Sequence, residues 1–169
     1  MLFVKLLYLL LNRGYLAAVL GDVKRGVAFI HQRQIGFPDY NAVSPQDNDK
    51  HITLDKADFS QTIRRVSITA DRITSQIRLG VESGRMELEA RGAEGSQSED
   101  EIPVAYEGDA LDIGFNYSYL QDILKNLRTE TIAMSLRDSQ SAALLRPVSE
   151  EGDDTGVLCL LMPLRLAGD

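Results

Sequence analysis

The chain has 169 residues, 44% of them hydrophobic and 25% charged, which is the balance of an ordinary globular protein. Eighteen Lys and Arg residues against 25 Asp and Glu residues give a net charge of −7, which disfavours a nucleic-acid binder when charge is averaged over the chain. One cysteine and two distant histidines exclude an internal disulfide and offer no metal-ligand spacing, so we predict no metal site and no cofactor. The sequence also lacks a phosphate-binding loop and a nucleophile-elbow motif, and we therefore predict a protein that is not an enzyme.

An apolar run at residues 2–11 opens the chain and contains Lys5. It is about half as long as the ~20 residues that a membrane-spanning helix needs. We predict that it forms a helix or strand of a partly missing domain, in a cytoplasmic protein without a membrane span. Tethering to a membrane through this run is the weaker alternative.

The first regular unit begins near residue 51. Ile52 and Leu54 alternate with polar residues, which predicts a half-buried strand. Asp55 is suited to cap a helix, and Phe59, Ile63 and Val66 follow at the spacing of one helical stripe. Three strand-like segments come next, at residues 73–81, 85–91 and 102–106.

A second unit repeats this pattern further along the chain. Ile113 corresponds to Ile52, and Asn116 corresponds to the capping Asp55. The apolar stripe of the second helix is formed by Leu120, Ile123, Leu124 and Leu127. Strand-like segments follow at residues 131–136, 142–146 and 157–166. Two strand–helix–three-strand units predict a pseudo-repeated α+β fold with antiparallel sheets and helices on one face.

Charge is distributed unevenly over the two units. Residues 82–112 contain many acids and only two arginines, Arg85 and Arg91. The cations of the predicted helices are Arg64 and Arg65 in the first unit and Lys125 and Arg128 in the second. The helix macrodipole alone favours cations near a C-terminal end, so a purely structural role stays open for them.

Three local motifs, together with the repeat, resemble the bacterial β sliding-clamp family, the processivity subunit of DNA polymerase III. They are Phe-Pro-Asp-Tyr at residues 37–40, Ile-Gly-Phe-Asn-Tyr-Ser-Tyr-Leu at 113–120 and Leu-Met-Pro-Leu-Arg-Leu at 161–166. The resemblance covers residues 37–166. It implies a DNA-clamp fold in which residues 49–169 form the C-terminal clamp domain. Residues 1–48 would then be an atypical N-terminal segment plus a remnant of the middle domain.

The family forms rings around duplex DNA, and this resemblance implies a non-catalytic processivity factor. Each protomer has three similar domains, two protomers close head to tail, and basic helices line the hole. By this resemblance, Arg64, Lys125 and Arg128 would face DNA, with Arg65 as a weaker candidate. The implied partners are duplex DNA, DNA polymerase III, other clamp-binding proteins and the clamp loader. A homodimer is the state of the family and is doubtful for this chain alone.

The family also binds short hydrophobic peptides in a groove between its middle and C-terminal domains. The resemblance implies that Pro38 and Val43 form part of the floor and that Asn116 and Tyr119 line one wall. The C-terminal edge of the groove would be formed by Leu160, Leu161, Met162, Pro163, Leu164 and Arg165. A buried strand explains several of these leucines equally well, and Pro38 could simply form a turn.

Two function hypotheses follow. The first is a clamp fragment that helps to encircle DNA and tethers the polymerase, with weak or absent ring formation by this chain alone. The alternative is a free-standing interaction module that binds clamp-motif peptides without encircling DNA.

Overall fold

A computed structural model describes residues 6–12, 15–21, 47–92, 95–148 and 157–166; side chains are described from residue 47 onwards, except that of Val157. The predicted groove residues Pro38 and Val43 lie outside these ranges. The described helices are α1 (Lys56–Val66) and α2 (Tyr117–Asn126). The described strands are β1 (Leu6–Asn12), β2 (Tyr15–Gly21), β3 (Lys50–Asp55), β4 (Gln76–Glu82), β5 (Arg85–Arg91), β6 (Gln97–Pro103), β7 (Leu111–Asn116), β8 (Thr131–Leu136), β9 (Ala143–Val148) and β10 (Val157–Leu161).

Both helices begin at the residues that the sequence predicts as caps. The Asp55 carboxylate accepts the backbone N–H of Asp58 at 2.8 Å. The Asn116 side chain accepts the N–H groups of Ser118 and Tyr119. Each cap satisfies donors that the first turn of a helix leaves unpaired, which fixes where the helix starts.

The strands form two antiparallel sheets, which confirms the α+β prediction. Sheet A has the order β2-β1-β10-β9-β8-β3, and sheet B has the order β6-β5-β4-β7. Each unit places its first strand in the sheet of the other unit. Ile52 of β3 lies opposite Met134 of β8, and Ile113 of β7 lies opposite Leu79 of β4. The two units therefore interlock into one body.

The core lies where the sheets meet the apolar stripes of the helices. Phe59 and Ile63 of α1 and Leu120 and Ile123 of α2 are fully buried, as the helical spacing predicts. Phe115 of β7 is equally buried. Side chains of this size contribute roughly 1.5–3 kcal/mol each when removed from water, so these stripes fix the helices on the sheets.

Several predicted boundaries were wrong. The strand predicted at residues 73–81 begins at Gln76, because the Asp71 carboxylate binds the N–H groups of Ile73 and Thr74 and forms a turn. The segment predicted at 102–106 is β6, Gln97–Pro103. The predicted final strand at 157–166 ends at Leu161, two residues before Pro163, which has no N–H for a strand ladder.

The acidic stretch forms much of sheet B, where Arg78 offsets part of its charge. The Arg78 guanidinium lies 3.0 Å from a carboxylate oxygen of Glu87 and 2.9 Å from oxygens of Glu89 and Asp112. Glu89 has only 5% of its surface exposed, so its charge needs this partner. Sheet B therefore has an acidic outer face with a central cation.

The apolar opening run forms part of a strand. Strand β1 contains residues 6–11 of that run and continues to Asn12. It pairs with β10 on one side and with β2 on the other. Leu7 lies opposite Leu160 in the register. In the part of the chain that the structure describes, no helix is long and apolar enough to cross a membrane.

Candidate functional site

The two helices lie side by side and are joined at one end. Lys56, the first residue of α1, donates its backbone N–H to the Glu130 carbonyl at 2.8 Å. Its Nζ donates to the Leu127 carbonyl at 2.9 Å, just beyond the end of α2. The start of α1 is thereby fixed beside the end of α2, and the outward sides of both helices form one surface.

Three of the four predicted cations, Arg64, Arg65 and Lys125, lie on the exposed sides of these helices. Arg128 was predicted in the second helix, but it lies two residues beyond the end of α2, because the backbone becomes extended at Leu127. The four cations also differ in their partners. Arg64 and Arg128 are exposed, and neither makes an ion pair within the described residues. Lys125 Nζ lies 3.3 Å from Asp122 Oδ1 on the same helix. Arg65 Nε donates to Asp100 Oδ2 of β6 at 2.7 Å, so its guanidinium is directed to sheet B.

This surface suits weak, sequence-independent contact with phosphates. An exposed ion pair such as Lys125–Asp122 contributes little and leaves the ammonium accessible to water and to an anion. A guanidinium without an ion-pair partner, such as that of Arg64 or Arg128, is able to donate to phosphate oxygens without reading bases. Arg65 is less suited, because a phosphate would have to displace Asp100.

The start of α2 brings two predicted groove residues together. Asn116 is half-buried, and its side-chain oxygen serves the cap, with the Ser118 N–H at 2.9 Å. Tyr119 lies in the first turn of the helix with 9% of its surface exposed. The Tyr117 N–H donates to the Ser75 carbonyl at 2.9 Å, which fixes the turn before β4 against this helix start.

The C-terminal segment, residues 162–166, is held against the same place. Leu164 forms an isolated antiparallel bridge with Gly114 of β7, two residues before Asn116. Gln76 Nε2 donates to the Arg165 carbonyl at 3.1 Å. The structure therefore brings the strand end that leads into α2 close to residues 164 and 165.

The predicted residues of β10 point alternately to two faces. Leu161 is completely buried in the main core. Leu160 belongs to a second, smaller cluster on the other face, which we call the outer cluster and which consists of Ala142, Leu144, Leu158 and Leu160. Beyond the strand, Met162 has 41% of its surface exposed, Pro163 and Leu164 are half-buried, and Arg165 is exposed.

Sequence reasoning missed several residues of this site. Leu144 and Leu158 share the face of Leu160, and the period-two alternation of their strands was the signal for this. Gly114 and Gln76 hold the C-terminal segment; Gly114 lies inside the motif at residues 113–120, but nothing in the sequence indicated this contact, and no local pattern contained Gln76. Their partners lie far along the chain, so only the fold brings them together.

The thiol of Cys159 and the possible metal-ligating side chains do not form a reactive site within the described residues. Cys159 is buried, and burial raises the pKa of its thiol to about 12. Over the described ranges, no group of three or more His, Cys, Asp or Glu residues could hold a metal ion. The arrangement offers surfaces for binding.

The sequence matches the family model of the DNA polymerase III beta subunit, C-terminal domain, over residues 41–165. The β sliding clamp of Pseudomonas putida is 38% identical over 130 residues, which are 77% of this chain and 34% of that protein. The clamp of Caulobacter vibrioides is 37% identical over 131 residues, with the same coverage. The chain therefore spans about a third of the length of the curated relatives it matches.

Solved structures of sliding clamps share this fold. The clamp of Pseudomonas aeruginosa superposes with a TM-score of 0.73 at 31% identity, over 92% of this chain and 41% of that one. The clamp of Bartonella birtlesii superposes with a TM-score of 0.72 at 29% identity, over 92% of this chain and 42% of that one.

Proposed function

The chain belongs to the β sliding-clamp family of DNA polymerase III, and from this premise we propose that it contributes a clamp domain to a processivity factor. Its outward helix faces contact duplex DNA, and its groove tethers the polymerase. The role is that of a non-catalytic accessory subunit acting in the cytoplasm. We assign residues 49–169 to the C-terminal clamp domain. We assign residues 1–48 to an atypical N-terminal segment plus a remnant of the middle domain.

The observation that carries the DNA-facing part is the position of the unpaired cations. The chain has a net charge of −7, yet Arg64 on α1 and Arg128, two residues beyond α2, are exposed without an acidic partner among the described residues. Lys125 adds a third exposed cation to the same face. Local positive charge on an acidic body attracts the phosphate backbone, while the acidic sheet repels it from other faces.

Contact of this kind suits sliding. Phosphate contacts position a protein on the duplex without reading sequence, so no site along the DNA is preferred. Binding is then weak, electrostatic and sensitive to salt. Arg64, Lys125 and Arg128 are the residues that we assign to it, and Arg65 has a secondary part because of its bond to Asp100.

The groove is supported by the joining of the α2 start to the C-terminal segment. Asn116 and Tyr119 flank one side, and Leu160, Met162 and Leu164 supply apolar surface on the other. The Asn116 oxygen caps the helix, which leaves its Nδ2 group to donate to a peptide carbonyl. A mainly apolar groove with a few polar groups suits a short linear peptide of a polymerase, a clamp loader or another clamp-binding protein.

A ring contact would use the free edge of sheet B. Within the described residues the outer edge of β6 pairs with no strand, and such an edge can accept a strand from a second protomer. β6 contains Glu99, Asp100 and Glu101, so a basic strand on the partner would suit it. We propose this edge as the side of the domain that meets another protomer head to tail.

Fluorescence anisotropy with a labelled duplex tests the DNA-facing role. We expect weak binding whose affinity falls steeply between about 50 and 200 mM salt and is independent of the DNA sequence. Absence of binding at the lowest salt concentration, or binding unaffected by salt, would contradict the assignment of these helices.

A further inference from the structure

The two sheets have four outer strands, β2 and β3 in sheet A and β6 and β7 in sheet B. The outer edge of such a strand offers backbone N–H and C=O groups to any further strand. Folded proteins limit this pairing by covering the edge or by placing charged residues or proline on it. The four described edges differ in this protection.

Two of the four edges are covered by other parts of the chain. On β3, the Thr53 N–H donates to the Ala105 carbonyl at 3.0 Å, and the Ala105 N–H donates back to the Thr53 carbonyl at 2.8 Å. On β7, the Leu164 N–H donates to the Gly114 carbonyl. Both contacts lie on the outer side, because Thr53 and Gly114 also pair with β8 and β4 inside the sheets. These two edges are therefore closed at their centres.

The other two edges differ in charge. The centre of β6 consists of Glu99, Asp100 and Glu101, so this edge repels a second copy of itself. Strand β2, Tyr15–Gly21, has the sequence YLAAVLG, which contains no charged residue and no proline. Within the described residues, its outer side pairs with no strand. Of the four described edges, β2 is thus the one that has neither a cover nor a charge.

The β2 edge is regular along its whole length. The β1–β2 ladder runs through seven consecutive pairs, from Leu6 opposite Gly21 to Asn12 opposite Tyr15, without a bulge. A bulge would bend the strand and interrupt further pairing. Strand β1 in turn pairs with β10, so the edge belongs to sheet A and not to an isolated hairpin. A regular apolar edge of this kind is a template for another strand.

We infer that β2 is an interface between two copies of this chain, which pair antiparallel along this edge across a two-fold axis. A strand that pairs antiparallel with its own copy forms a self-complementary contact, as two-fold symmetry requires. The register that pairs all seven residues places Ala18 of the two copies opposite each other. It also places Leu16 of each copy opposite Leu20 of the other.

A second copy suits this edge better than an unrelated strand because it closes the sheet. Two six-stranded sheets joined through β2 form one sheet of twelve strands, with a β3 strand at each end. Each of these ends is covered by Ala105, so the joined sheet has no open apolar edge. A single strand from another protein would expose its own far edge instead. The contact differs from the head-to-tail contact assigned to β6, because it joins two identical edges and involves no acidic residue.

Sedimentation velocity of the purified chain over a concentration series tests the interface, and we expect a dimer. Ala18→Lys and Ala18→Glu each place two like charges opposite each other at the centre of the contact, so each should raise the dissociation constant by about tenfold or more. An equimolar mixture of the two variants should restore the dimer, because the opposed charges then attract. Gln97→Lys is the matched control, since it adds a charge to the β6 edge, where Gln97 is exposed, and should leave the dimer unchanged.

A cross-link tests the register without adding charge. Ala18→Cys in a Cys159→Ala background should form a covalent dimer on mild oxidation, because opposite residues of an antiparallel pair lie within the Cα distance that a disulfide spans. Leu16→Cys in the same background should not, since the two copies of residue 16 lie four residues, or about 13 Å, apart along the strands.

Several results would overturn the inference. One is a chain that stays monomeric at every concentration, and another is the absence of the Ala18→Cys cross-link. A dimer that Gln97→Lys disrupts and Ala18→Lys does not would place the contact on β6. A mixture of Ala18→Lys and Ala18→Glu that stays monomeric, although both variants melt like the unmodified chain, would also exclude the pairing of Ala18 with itself.

Discussion

Leu164 donates its backbone N–H to the Gly114 carbonyl at 2.8 Å, which fixes the C-terminal segment on β7. The approach is possible because residue 114 has no side chain. A Cβ at this position would lie 2.7 Å from the Leu164 carbonyl oxygen and 2.9 Å from Gln76 Nε2. One glycine thus determines how closely the segment lies to the start of α2.

Gly114→Ala should therefore displace the C-terminal segment. We expect the free energy of unfolding to fall by about 1–3 kcal/mol, because the added methyl group overpacks a backbone contact. Affinity for a polymerase peptide should fall by about tenfold or more, since residues 162–165 would leave the groove. Urea unfolding and anisotropy titration measure the two effects.

Gly80→Ala is the control for this substitution. A Cβ at residue 80 would meet only the ends of the Asp112 and Arg78 side chains, at 3.2 and 3.3 Å, and these can move. Peptide affinity should be unchanged. Equal peptide binding by Gly114→Ala and the unmodified chain would show that the bridge to Leu164 does not position the groove.

The DNA-facing surface predicts a specific change in salt dependence. Replacing Arg64 and Arg128 with glutamine should weaken duplex binding and reduce the slope of log affinity against log salt by about 0.9 for each phosphate that the protein no longer neutralises. Arg137→Gln is the matched control, because Arg137 is exposed but pairs with Asp47 at 3.3 Å, outside the two helices. If Arg137→Gln reduces the slope of log affinity against log salt equally, the effect comes from the net charge of the protein and not from the two assigned arginines.

Adjacent residues at the end of β10 should behave differently. Leu161 is completely buried, and Leu161→Ala should lower the free energy of unfolding by about 2–5 kcal/mol. Met162 is 41% exposed, so Met162→Ala should change stability by less than about 1 kcal/mol while weakening peptide binding. Similar losses of stability in both variants would place Met162 in the core instead of the groove.

Cys159 should affect stability at high pH. The folded thiol has a pKa of about 12, raised by burial from its ordinary value of 9.0, so the unfolded chain loses this proton first. Stability should fall as the pH rises from 9 towards 12, and Cys159→Ala should remove that part of the decline. Denaturant unfolding of the unmodified chain and of Cys159→Ala between pH 9 and pH 12 measures this loss of stability. Rapid alkylation of the folded protein at neutral pH would contradict the burial.

Local patterns in the sequence predicted the two units well. The capping residues Asp55 and Asn116 and the stripes containing Phe59 and Leu120 depend on neighbours within one or two turns, so their spacing is sufficient. The acidic stretch and the basic helix ends could be read directly from residue order.

Contacts between distant residues could not be predicted in this way. The exchange of β3 and β7 between the sheets, the Gly114–Leu164 bridge and the Gln76–Arg165 hydrogen bond join segments that are far apart in the chain. The sequence pattern predicts strand at residues 73–75, which belong to the turn after Asp71, because Ile73 continues an apolar pattern that the turn interrupts. Leu161 and Leu160 were assigned the same role, although alternation along β10 directs them to different faces.

The central claim is that the start of α2 and the C-terminal segment together form a peptide-binding groove. Titration of the unmodified chain into a labelled polymerase clamp-binding peptide tests it most directly, with a peptide in which every apolar residue is replaced by alanine as the control. We expect saturable binding of the polymerase peptide that Met162→Ala weakens, and no binding of the alanine peptide. No binding at millimolar concentrations of the chain, or equal binding of both peptides, would contradict it.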